Sequence, residues 1–201
     1  MKESLDLKDI RRQVFLYYAE DGLVDIAVGL VILGFGLLLL LDFPALVSLL
    51  GLLALSVWYL GKGSLVIPRV GSIKPGREMK DRFKSFFITL ILLGAGVFTL
   101  FLAAGAGGGG SLFARYSLSL FGLVVALGIS SLGLVLDTAR FYYYGGLVFL
   151  AMAGGNLLSQ SVTAFDPFLV AVISAGGLIL AAGLAVLIRF LGKYPIVRGE
   201  A

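Results

Sequence analysis

Gly22 to Leu41 reads GLVDIAVGLVILGFGLLLLL, twenty residues in which Asp25 is the only charge. A helix that crosses a bilayer needs about 20 mainly apolar residues. Lipid offers no partner to a free backbone N–H or C=O, so such a segment is expected as a helix. The strict alternation of a barrel strand is missing from it. Five similar segments follow at 45–60, 85–105, 116–136, 144–163 and 167–191. The composition agrees: 59% of the 201 residues are hydrophobic, 14% are charged and the mean hydropathy is +1.04. A soluble domain carries about 25% charged residues. The expected fold class is an all-α integral membrane protein with six transmembrane helices arranged as three hairpins.

Outside the spans, residues 1–21 mix acidic and basic side chains and lack the short apolar core of a cleavable signal. Leu7, Ile10, Val14 and Tyr18 recur there at helical spacing, which predicts an amphipathic helix lying on the membrane surface. The bundle is expected over 22–191, with a basic loop at 61–84 and a tail at 192–201. Of the 16 basic residues, 15 fall in the N-terminal segment, the 61–84 loop, the link after the fourth span and the C-terminal end, leaving Arg115 alone on the other side. Basic loops stay cytoplasmic, so both termini are expected there. The expected location is the cytoplasmic (plasma) membrane. The net charge of +4 follows from this distribution and is no sign of nucleic-acid binding.

The absence of cysteine and histidine removes disulfides, thiol nucleophiles, histidine or cysteine zinc sites and the Ser-His-Asp triad. Glu20, Asp21 and Asp25 could still interest magnesium, which often binds one or two carboxylates beside a phosphate substrate. Asp21-Gly22 matches the start of the CDP-alcohol phosphotransferase motif, but the alanine-arginine pair and the two later aspartates are missing, which excludes that reading. No P-loop surrounds Lys62. No catalytic constellation, metal or cofactor is expected, and the chain is read as not an enzyme.

Each hairpin opens with an arginine and aromatics: Arg12 with Phe15, Tyr17 and Tyr18; Arg82 with Phe83, Phe86 and Phe87; Arg140 with Phe141 to Tyr144. Such groups anchor helix ends at the headgroups. The outer turns Asp42-Phe43-Pro44 and Asp166-Pro167 look alike, whereas the middle turn is the glycine run Gly107 to Gly110. With its glycine-rich hairpins and a proline at two outer turns, the layout resembles the short-repeat six-span membrane proteins of the acid-resistance (HdeD-like) type. The resemblance covers most of the chain and implies a helical membrane bundle associated with acid stress. It carries over no site residue, and the long basic loop and the glycine run depart from it.

Polar side chains at membrane depth are expensive and mark the candidate site. Asp25 follows Asp21 by four residues, so the two carboxylates share a helix face, which Gly22, Gly29 and Gly36 extend. They read either as a cation or proton site at the inner mouth or as helix-start residues, with Asp25 pairing to an arginine of another hairpin entry. In the fifth span Asn156, Ser159, Gln160 and Thr163 form one polar stripe, toward which Ser130, Ser131 and Ser174 could face. The stripe reads either as a hydrated path or as bonding between helices. Small residues in the later spans read as helix packing. The residues assigned to a solute or ion path are Asp25, Asn156, Ser159 and Gln160. Arg69, Lys74 and Arg77 are assigned to lipid or anion contact, because anionic headgroups attract a basic loop. The expected function is binding or passage of a small solute or ion through the bundle; the alternative is a non-catalytic structural, stress-response or scaffolding component. The expected partners are anionic headgroups at the cytoplasmic face and either a second copy of the chain or another membrane protein.

Overall fold

A computed structural model describes residues 21–70, 84–85, 88, 112–159, 161 and 166–195. The N-terminal surface helix, nearly all of the third span, Lys74, Arg77, Gln160 and Thr163 lie outside the described residues. The described residues contain five principal helices and no strand: α1 (Leu23–Leu40), α2 (Val47–Gly61), α3 (Leu112–Leu136), α4 (Arg140–Leu158) and α5 (Pro167–Lys193). Four stretches are long and apolar enough to cross a membrane: Leu23–Leu40, Leu49–Arg69, Leu118–Leu136 and Pro167–Lys193. α4 has 19 residues, and Arg140, three tyrosines and Asn156 make it less apolar than these.

Local chemistry sets the helix ends. Asp21 Oδ1 accepts a 2.9 Å bond from Leu23 N, and Gly22 turns the chain into α1 with φ +80. α1 closes on a Schellman turn in which Asp42 takes the left-handed position at φ 59. Phe43 N reaches Leu38 O at 2.9 Å and Asp42 N reaches Leu39 O at 3.2 Å. α3 ends the same way, with Asp137 at φ 53 and Thr138 N on Gly133 O at 3.1 Å. Asp166 caps α5 by accepting from Phe168 N at 3.0 Å, with Pro167 in the first turn, where its missing N–H costs nothing.

α2 departs from the expected 45–60 span. A 3-10 turn at Pro44–Leu46 leads into it, and helical structure continues past Gly61 through a π turn at Lys62–Val66 to Ile67–Val70. The start of the expected 61–84 loop is therefore helix. Pro68 lacks an N–H and crowds the carbonyl four residues before it, which the widened turn relieves.

Helix order across the bundle is α2, α1, α5, α4, α3, with α1 against α5 the most extensive pair. Small residues make that pair close. A Cβ on Gly29 would stand 2.6 Å from Leu180 N, and one on Gly183 would stand 2.7 Å from Ile26 N. Gly22 faces Gly183 and Leu187 while Gly36 faces Ile173, so the two helices run antiparallel. Ile32, Ile129, Phe141, Val148, Met152, Val172 and Ile179 form the central core, and Leu23, Ile26, Val66 and Phe190 a second one at the end where α1 begins. The outer surface is as apolar as the inside: Leu134 is 68% exposed, Leu150 69% and Ile188 68%. With large side chains of this kind on several helices, the exterior fits lipid rather than water.

Candidate functional site: buried ion pairs at one end of the bundle

Antiparallel packing gathers the starts of α1 and α4, the end of α5 and the π turn after α2 at one end of the bundle. Asp21 and Asp25 are both 0% exposed there. Asp21 forms an ion pair with Lys62, itself only 6% exposed, and so joins the start of α1 to the π turn. Asp25 Oδ1 lies 3.0 Å from Arg140 Nε, which joins α1 to the first residue of α4. Tyr144, one turn further along α4, adjoins the same carboxylate and stacks edge-on against Phe141. The Arg140 guanidinium carbon lies 5.6 Å from the centre of the Phe141 ring, so an apolar wall backs the pair. Gly183 makes room for Asp25: a Cβ there would meet the Asp25 Cβ at 2.9 Å.

This arrangement explains how a chain rich in lipid-facing surface can hold two carboxylates. A buried charge is tolerable when paired and strongly destabilising once its partner is removed. Sequence reading placed Lys62 in a loop and did not pair it. The helical spacing from Leu60 through Val66 was its only local signal, and Gly61, Gly63 and Ser64 masked it.

The polar residues of α4 lie elsewhere. Asn156 stands 16 residues beyond Arg140, about 24 Å along the helix axis. It is 8% exposed, and its Nδ2 donates to Ser119 Oγ of α3 at 3.0 Å. Ser159 belongs to the α4–α5 turn, donating to Gly155 O at 2.9 Å or Asp166 Oδ1 at 3.0 Å and accepting from Phe168 N at 3.3 Å. Ser131 bonds back to Gly128 O, and Ser174 is exposed. The structure thus brings Asp25 together with Arg140 and Tyr144, and not with Asn156 or Ser159. Arg69 Nη1 donates to Leu65 O at 2.6 Å, on its own helical segment. Among the described residues, no three carboxylates converge to hold a metal.

Replacing Asn156 by leucine is expected to cost about 0.6 kcal/mol, the average for a hydrogen bond between membrane helices. Reversible unfolding in mixed micelles checks the value. A loss several times larger would mean that Asn156 does more than bridge α3 and α4.

No family model, curated protein or solved structure matches the chain.

Proposed function

We propose that this chain is a non-catalytic component of the cytoplasmic membrane, a helix bundle held closed at its inner end by ion pairs. The Asp25–Arg140 pair carries the reading: a fully buried carboxylate is committed to a cation from another hairpin. Asp21–Lys62, Asn156–Ser119 and the Ser159 turn support it, since each commits polar atoms to holding elements together. The proposal includes six spans in three hairpins, with both termini and the ion-paired end cytoplasmic, as the basic residues favour. The acid-stress association implied by the family resemblance fits such a component.

A second reading, passage of a small ion or solute, rests on Asp21 and Asp25 lying one turn apart on a single helix face at the mouth of the bundle. Ionisable groups within a membrane often mark ion pathways. Potassium and proton fluxes in reconstituted vesicles separate the two. The component reading predicts wild-type fluxes equal to those of empty vesicles and recovery of a stoichiometric partner from native membranes. A flux that the wild type supports and Asp25→Asn abolishes would overturn it in favour of passage.

A further inference from the structure

A cleft of about 370 Å³ opens at the ion-paired end, lined by Thr138, Ala139, Arg140, Val186, Arg189, Phe190, Lys193 and Tyr194. We propose that this cleft binds a phosphate group. Three of its lining residues are cationic and none is acidic. Two of the cations, Arg189 and Lys193, sit four apart near the end of α5, where the helix dipole alone would favour positive charge. Two further observations go beyond that explanation.

The first is the start of α4. Thr138, Ala139 and Arg140 bring the first turn of a 19-residue helix to the cleft wall, and no side chain of its N-cap residue Ala139 bonds to the first amides. Helix N-termini leave several N–H groups without intrahelical partners and favour anions, phosphate above all. The second is Thr138, whose Oγ1 is buried and has no hydrogen-bond partner among the described residues. A hydroxyl so placed is a donor to a phosphate oxygen. Arg140 lies between the two sites, its Nε held beside Asp25 while the residue also lines the cleft. The Lys193 ammonium lies 5.4 Å from the centre of the Tyr194 ring, on the cleft wall.

Arginine and lysine side chains with backbone amides are the usual donors to phosphate. The position at a helix end, next to the basic segments of the chain, suits a phospholipid headgroup; a soluble phosphate would use the same donors. The full-length protein in phosphatidylcholine nanodiscs supplies the test. Retention of added phosphatidylglycerol is followed by native mass spectrometry, and binding of inorganic phosphate by calorimetry. The wild type is expected to bind at least one. Arg189→Gln with Lys193→Gln should weaken that binding about tenfold or more. The uncharged change Thr138→Val should weaken it as well. Lys2→Gln with Lys8→Gln removes the same charge elsewhere and should leave binding unchanged.

Binding of phosphatidylglycerol alone assigns the site to a lipid headgroup, and binding of inorganic phosphate assigns it to a soluble anion; either supports the proposal. Absence of both overturns it. So does an equal loss in the two double variants, which would reveal diffuse attraction between charges. Arg189 and Lys193 are exposed and outside the ion pairs, so their variants are expected to fold.

Discussion

Gly176→Ala is expected to destabilise the protein while Gly177→Ala, at the next residue of the same helix, does not. A Cβ on Gly176 would lie 2.6 Å from Leu33 Cα, backbone that cannot rotate away, whereas nothing stands within 4 Å of one on Gly177. Overpacking costs about 1–3 kcal/mol and occasionally more. Glycine inside a helix costs roughly 0.5–1 kcal/mol relative to alanine, so Gly177→Ala should be neutral or stabilising. Gly29→Leu should go further and abolish the folded bundle, because Leu180 N and Cα at 2.6 and 2.7 Å already block its first carbon. Unfolding midpoints in mixed micelles give the comparison. Equal effects at 176 and 177 would contradict the close α1–α5 approach.

Arg140→Gln is the second large effect. It strands the Asp25 carboxylate, which is 0% exposed, without its cation. Breaking one side of a buried ion pair costs about 3–5 kcal/mol. Asp25→Asn should cost less, because the Arg140 side chain is 22% exposed and can turn toward water or headgroups. Arg140→Lys should recover part of the loss, since an ammonium keeps the charge without the planar fork of guanidinium. Equilibrium unfolding of the three variants checks this order.

The positions of the apolar spans were legible in the sequence where composition alone decides them. Leu23–Leu40 lies within one residue of the expected 22–41 at each end, because a long leucine-rich run in lipid has no alternative to helix. α5 starts at Pro167 as expected, since Asp166 and Pro167 together form a strong start signal. The end of the second span was not legible. Gly61, Lys62, Gly63 and Ser64 have the composition of a loop, but Asp21, more than forty residues earlier, pairs with Lys62 and lets the helix continue.

The same distinction governs the candidate site. The shared face of Asp21 and Asp25 follows from their spacing, and the glycines along it mark a close neighbour. That the neighbour is α5, and that the cations come from Lys62 and Arg140, are tertiary facts that no local spacing encodes. The Asn156 stripe was visible as a periodicity, but its two readings differ only in what faces it, and Ser119 lies 37 residues away.

A double-mutant cycle on Asp25 and Arg140 tests most directly whether a buried ion pair fastens α1 to α4. Unfolding free energies are measured for the wild type, Asp25→Asn, Arg140→Gln and the double variant. The account predicts coupling within about 0.5–3 kcal/mol, with the double variant more stable than Arg140→Gln alone. A double variant whose loss equals the sum of the two single losses would contradict it.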